Sequence, residues 1–307
     1  MWKLTGGLFF GWGLGANDSA NLFGPSVAAG MVKYRAAVIL TSLYVILGAV
    51  MEGPKCMDTV GKLSSLSPMA AFVCAFSAAL TMLVMTLLKL PASASQSIIG
   101  AVMGVGVLTH TAEFSRLYKI LACWVLTPIG GIFFAMVLYK FFAYVLDLLF
   151  RDIYRRNSFL TIAVIVSGCY GSYCLGANNV ANVTGVYVGC GMLTPFMASI
   201  IGALSISSGV LTYSRGVMMT VGKRIAPLDP FSAFVAILAN AVTIHVFTQI
   251  GVPVSSSQGI VGAVIGVGML KSLRTVSTRM IAMIVVAWIS TPLSAGIVSY
   301  LIAMLLV

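Results

Sequence analysis

The chain makes the same unusual interruption twice. Residues 15–24 read Gly-Ala-Asn-Asp-Ser-Ala-Asn-Leu-Phe-Gly and residues 176–185 read Gly-Ala-Asn-Asn-Val-Ala-Asn-Val-Thr-Gly, six identities in ten at an offset of 176 − 15 = 161. Each stretch sets asparagines, and in the first copy an aspartate, into a long apolar segment. In hydrocarbon such side chains survive only inside protein or beside a water-filled cavity. A second element repeats in step. Residues 91–106 (PASASQSIIGAVMGVG) and 253–268 (PVSSSQGIVGAVIGVG) agree at eleven of sixteen positions, offset by 253 − 91 = 162. Two motifs recurring in one order at one spacing make the chain a duplication. Each copy must bury its polar residues against something other than lipid.

Composition identifies the solvent. The 307 residues are 60% hydrophobic and 8% charged, where a soluble domain carries about 25% charged residues. Apolar runs of membrane-spanning length recur throughout, and the alternating pattern of an outer-membrane barrel is absent. The expected fold is therefore all-α and polytopic. A net charge of +11 does not signal nucleic-acid binding, because the basic residues stand singly or in small groups between apolar runs, as in topology-setting loops. The six cysteines form no C-x-x-C pair. Cys169 and Cys174 read as small core residues, not metal ligands. The first apolar run leads directly into the motif, so it is expected to belong to the fold and not to a cleaved leader.

Each half contains five apolar elements. In the first they fall near 2–30 (broken by the motif), 36–51, 69–88, 94–108 and 120–150, with a polar loop at 52–67. After the linker they fall near 159–190, 194–212, 230–250, 253–269 and 280–306. The division is a first transmembrane repeat over 1–150, a cytoplasmic linker over 151–158 and a second repeat over 159–307. Five crossings are an odd number, so the second repeat is expected upside down. The basic residues agree. With Lys33 and Arg35 inside, the inside segments also hold Lys89, Arg151, Arg155, Arg156, Arg215, Lys223, Arg224, Lys271, Arg274 and Arg279, against Lys3, Lys55, Lys62, Arg116 and Lys119 outside. Twelve against five is the bias that cytoplasmic loops carry, and it puts both termini outside. The short Pro-Ser elements are open to a re-entrant or a spanning reading.

The two motifs offer opposite polarities. Pro91 and Pro253 suit helix starts, and Ser93, Ser95, Ser255, Ser256 and Ser257 offer capping hydroxyls. The free N–H groups and positive dipole end of such a start attract anions, and Gln96 and Gln258 add amide groups. Inverted symmetry would bring both starts to one point near the midplane, where an oxyanion is the natural guest. Asp18, with Asn17, Asn21, Asn178, Asn179 and Asn182, supplies carboxylate and amide oxygens, and broken helices would add carbonyls. Hard cations prefer all-oxygen sites. Neither motif contains Lys or Arg, so a bound anion is best balanced by co-bound cations and helix ends. The reading that these asparagines only lock helix packing explains one asparagine, not an aspartate in mid-span beside two of them.

GANDSAN and GANNVAN resemble the GANDxAN signature of the inorganic phosphate transporter (PiT) family, and PASASQ and PVSSSQ resemble its PxSxxQ-type elements. The resemblance covers the whole chain in order. It implies inverted repeats with broken helices and a homodimer in the cell membrane that imports inorganic phosphate by sodium-coupled symport. It places phosphate near Asp18, Asn21, Ser93, Ser95, Gln96, Asn182, Ser255, Ser256, Ser257 and Gln258, and sodium at Asn17, Asp18, Asn21, Asn178, Asn179 and Asn182. No cofactor is implied beyond the co-transported sodium. Two departures stand out: Asn179 replaces a usual aspartate, and Ala94 stands where a hydroxyl is common. They leave the identity of the anion, sulfate included, and the number of coupling ions open, and the family's members are coupled to sodium or to protons.

Other functions fit less well. A passive anion channel would dissipate the gradient that a midplane carboxylate serves. An enzyme lacks any motif that sets a nucleophile beside a base. His245 reads as a core histidine, His110 as a loop residue, and Trp124 and Trp288 as packing or interfacial anchors within the repeat. Glu52, whose second-half counterpart is Tyr213, is a weak candidate for an outer gate.

Overall fold

The computed structural model describes residues 1–87, 92–150, 152–224, 228–271 and 278–307, with the side chains at 28, 86, 220–224 and 278–284 outside that description. Pro91, Lys89, Arg151 and Arg274, and the side chains of Lys223, Arg224 and Arg279, therefore lie outside the described residues. The helices are α1 (Thr5–Asp18), α2 (Ala20–Ala28), α3 (Tyr34–Glu52), α4 (Pro54–Gly61), α5 (Pro68–Leu87), α6 (Ala94–Leu108), α7 (Phe114–Leu149), α8 (Ile153–Gly189), α9 (Pro195–Arg224), α10 (Pro230–Ile250), α11 (Ser256–Lys271) and α12 (Thr278–Leu306). Among the described residues, seven helices are long and apolar enough to cross a membrane. The chain is an all-helical, multi-pass membrane protein.

Local chemistry sets the helix ends. The Asp152 carboxylate accepts from the Tyr154 amide at 3.0 Å and starts α8 inside the segment read as linker. Asp229 caps α10 through the Ser232 amide at 3.1 Å, with Pro230 in the first turn, and Gly251 closes it in the left-handed region at φ 79°. These are the preferred residues at each end. The expected polar loop at 52–67 instead contains α4. Pro54 begins it, Cys56, Met57 and Val60 are buried, and the Lys62–Asp58 pair lies on its outer side. One buried side was enough to fold a stretch too short and polar to register as a span.

The two motifs fold differently. In the first copy the helix is interrupted at Ser19, between α1 and α2. In the second, α8 runs unbroken through Asn178, Asn179 and Asn182. The expectation of a broken helix thus holds for one copy only, and the second supplies no freed carbonyls at its motif. Residues 176–185 contain no proline, and their glycines and asparagines carry only modest propensity penalties, which packing overrides.

Packing between helices respects the duplication. A methyl group added at Gly15 would lie 1.9 Å from the Ile206 carbonyl oxygen, and one at Gly176 would lie 2.0 Å from that of Val45. The second contact is the first with the halves exchanged, since 15 + 161 = 176 and 206 − 161 = 45. The same holds for Gly100 against Pro292 and Gly262 against Pro128, each at 2.2 Å to the carbonyl oxygen. So α1 packs on α9 as α8 packs on α3, and α6 packs on α12 as α11 packs on α7. Each half lends helices to the other, and small residues allow the backbones to touch, as membrane interfaces require. The inner helix is α10, with 78% of its apolar window buried, while α12 has 22% buried and turns Val286, Ile289, Leu293, Ile297 and Leu301 outward. An outward apolar stripe of that length suits lipid.

Candidate functional site

The Pro-Ser elements enter the core and begin helices there. Ser93 caps α6, its hydroxyl accepting from the Gln96 amide at 3.3 Å, and Ser255 does the same for the Gln258 amide at 3.3 Å. Pro253 stands before the cap and not in the first turn: α11 starts at Ser256, three residues after it. The two starts meet. Ser95 in the first turn of α6 donates to the Val254 carbonyl at 2.8 Å, in the segment that leads into α11.

Both Asn motifs close on these starts, each on the other half's helix. Asn21 Nδ2 donates to Ser257 Oγ at 3.1 Å and lies 3.4 Å from Ser256 Oγ. Asn182 Nδ2 donates to Ser95 Oγ at 2.8 Å. These two contacts are pseudo-equivalent, because 21 + 161 = 182 and 257 − 162 = 95. Asp18 accepts from Ser256 Oγ at 2.8 Å through Oδ2. Its counterpart positions are 179 and 94, the two positions that depart from the family pattern. Asn179 Oδ1 accepts instead from Asn182 Nδ2 at 2.8 Å, with Ser95 Oγ at 3.5 Å. The two departures therefore belong to one half-site. Loss of the carboxylate and loss of the hydroxyl that would bind it go together.

Several buried polar atoms here have no protein partner: Asp18 Oδ1, Asn182 Oδ1, Gln96 Oε1, Gln258 Oε1 and Asn179 Nδ2. Such orphans cost about 1–3 kcal/mol each when nothing meets them, and more for a charged oxygen. Four unpartnered oxygens suit a cation, and the one unpartnered amide N–H suits an anion. Asn178 is engaged differently. Its Oδ1 accepts from the Val254 amide at 2.8 Å, and its Nδ2 donates to Thr248 Oγ1 at 3.0 Å and the Val252 carbonyl at 3.2 Å. It pins the entry to α11. Asn17 lines a cavity of about 150 Å³ with Phe9, Trp12, Leu83 and Tyr213. All the residues read as binding from the sequence thus fall around the two helix starts, with Asn17 and Asn178 at the edges.

Sequence reasoning missed one set of partners. His245, expected to stand alone in the core, faces Glu52, with Nε2 to Oε2 at 3.2 Å, while Tyr170 OH meets Nδ1 at 2.6 Å. The residues come from α3, α8 and α10, and no local spacing could have linked them.

The model of the phosphate transporter family matches residues 14–157 and again 147–299. The chain belongs to that family. The family is one of transporters. A provisionally named phosphate permease of Methanocaldococcus jannaschii is 31% identical over 94% of this chain and 92% of its own length. A sulfate permease of Bacillus subtilis is 28% identical over 97% of this chain and 85% of its own. Among solved structures, the sodium-dependent phosphate transporter superposes with a TM-score of 0.89 at 23% identity, covering 99% of both chains. This likeness establishes the shared fold.

Proposed function

We propose that this family member is a secondary transporter that imports inorganic phosphate with sodium by alternating access. The observation that carries the reading is a pair of orphan atoms at pseudo-equivalent positions. Asp18 Oδ1 can only accept a hydrogen bond when ionised, whereas Asn179 Nδ2 can only donate one. Hydrogenphosphate meets both, because it carries one O–H and three further oxygens. Sulfate near neutral pH has no proton to give Asp18 and would leave that oxygen facing a like charge. The first turns of α6 and α11 add free N–H groups and positive dipole ends to the same point.

Sodium is the second cargo. Asp18 is 2% exposed and has one oxygen without a partner. An ionised carboxylate in that position is strongly disfavoured unless a cation or a donor meets it. Sodium held by Asp18, Asn182 and the two glutamine oxygens offsets the charge of the anion without Lys or Arg. The halves are read as inverted repeats over 1–150 and 159–307. Exchange-symmetric packing supports this, as does the odd number of elements per half. Both termini are then outside the cell membrane, and the protein acts as a homodimer.

The sulfate reading has its own support in the Bacillus subtilis relative and in the loss of the second carboxylate. Uptake into proteoliposomes decides between them. Radiolabelled phosphate should accumulate only with an inward sodium gradient, and excess sulfate should compete weakly. Sulfate uptake untouched by excess phosphate would reverse the choice of anion. Uptake driven by a proton gradient alone would remove sodium.

A further inference from the structure

Outside the site, one cluster of polar side chains joins four helices. Glu52 ends α3 and receives three neighbours on Oε2: His245 Nε2 at 3.2 Å, Gln249 Nε2 at 2.8 Å and Lys55 Nζ at 3.4 Å. A carboxylate can only accept, so His245 donates through Nε2 and leaves Nδ1 to accept from Tyr170 OH at 2.6 Å. Tyr173 lies beside Glu52, and both tyrosine rings pack edge-on against the imidazole. Lys55 reaches across to Gln249 Oε1 at 2.8 Å. Glu52 and His245 are only 17% and 25% exposed. The cluster sits directly over the second motif, because Thr248, one turn beyond His245 in α10, takes the hydrogen bond of Asn178.

The pseudo-symmetric positions look quite different. Exchanging halves takes Tyr170, Tyr173 and Glu52 to Phe9, Trp12 and Tyr213 at the 161 offset, and His245 to Leu83 at the 162 offset. All four line the cavity of about 150 Å³ that reaches Asn17, the counterpart of Asn178. So the same place in the fold is open on one side and filled by a charged hydrogen-bond network on the other. The described lining of the open side carries no carboxylate, ammonium or imidazole; Trp12 and Tyr213 pack ring to ring with centroids 5.4 Å apart, and the Trp12 indole donates to Thr212 Oγ1 at 2.9 Å.

We propose that Glu52, His245, Tyr170, Tyr173, Gln249 and Lys55 form the latch of one gate, and that the cavity at Phe9, Trp12 and Tyr213 is the other gate standing open. The latch holds the end of α3 and the start of α4 against α10, so the route to Asn178 is shut while the route to Asn17 is accessible. Alternation requires the Glu52 contacts to break as a unit. Charge-assisted bonds shared by four helices suit this role, because they are strong when closed and the freed groups can be hydrated when open. The open gate is lined mostly by apolar and aromatic side chains with no charged group among them, so the two gates differ in what lines them. The inference rests on the transport reading, but conformation can be measured without transport, so the two can fail separately.

The native cysteines report the latch. Cys56 and Cys174 are fully buried beneath it, Cys56 lying 3.8 Å from Asn178 Nδ2 and Cys174 touching Tyr170. A Val217→Cys substitution reports the open cavity, whose wall Val217 forms. The full chain in liposomes is treated with a small charged methanethiosulfonate, and each site's modification rate is followed by mass spectrometry. Glu52→Gln should raise modification of Cys56 and Cys174 about tenfold, the effect of losing one charged contact from a two-state equilibrium. In the same sample it should lower modification at position 217, because opening one gate withdraws molecules from the state in which the other is open. Unchanged rates at Cys56 and Cys174 overturn the proposal. A rise on both faces overturns it too, since that is the mark of a loosened fold. Tyr173→Phe removes a single hydroxyl, keeps the ring, and should move both reporters in the same directions by less; it replaces Glu52→Gln if that variant does not fold.

Discussion

At the scale of single residues, the site turns on the difference between Asp18 and Asn179. Both are buried at equivalent positions and both hold one atom without a protein partner. Asp18→Asn keeps the size and an oxygen that can still accept from Ser256, but removes the charge. We expect sodium-dependent phosphate uptake to fall at least about tenfold, as loss of a charged contact worth over 1.4 kcal/mol implies, while the protein stays monodisperse in detergent. Near-normal uptake with the same sodium dependence would put the coupling site elsewhere. Asn179→Asp tests the opposite change. It replaces a donor to the anion with a second carboxylate, so phosphate then needs another cation between them. Phosphate uptake should persist with a steeper dependence on sodium concentration, and any sulfate uptake should collapse, because like charges in juxtaposition cost several kcal/mol. Robust sulfate transport by that variant would contradict the assignment of position 179.

At the scale of helices, the duplicated contacts are the sensitive points. The Gly15–Ile206 and Gly176–Val45 approaches are so close that a single methyl group must push two backbones apart. Gly15→Ala and Gly176→Ala should each destabilise the protein by about 1–3 kcal/mol, the usual cost of overpacking, and by similar amounts, because the contacts are equivalent. Thermal unfolding in detergent measures both. A large loss for one and none for the other would mean that the halves do not share one packing scheme. The two motifs already show that equivalence has limits: α1 stops at Ser19 while α8 continues through its copy.

At the scale of the whole molecule, inversion of the second half makes a simple demand. A cysteine at Arg155, in the first turn of α8, and one at Met192, just after its end, should react with impermeant reagents from opposite sides of the membrane, the first from the cytoplasm. Labelling of both from one side would break the inverted-repeat reading and with it the shared midplane site. The seven long helices together with α1 and α2, α6 and α11 account for the ten apolar elements.

Much of this was legible in the chain itself. Apolar runs with few charges dictate helices, because lipid leaves the backbone no other partner. Repetition at 161 and 162 residues picked out Asp18, Asn21, Asn182, Ser95, Ser256 and Ser257, and these do converge. Their residue types call for partners whatever their exact arrangement, since buried polar groups in a membrane protein must be matched. What the chain could not state is which half meets which. The motif of each half closes on the Pro-Ser helix of the other, a contact more than 80 residues away in one case and more than 230 in the other. Glu52 and His245, 193 residues apart, stand as unconnected singletons in the sequence and are partners in space. Periodicity and motif report what lies within one helix or recurs along the chain. Only tertiary packing decides which distant side chains complete one another's hydrogen bonds, because in the interior that pairing depends on where every helix has come to rest.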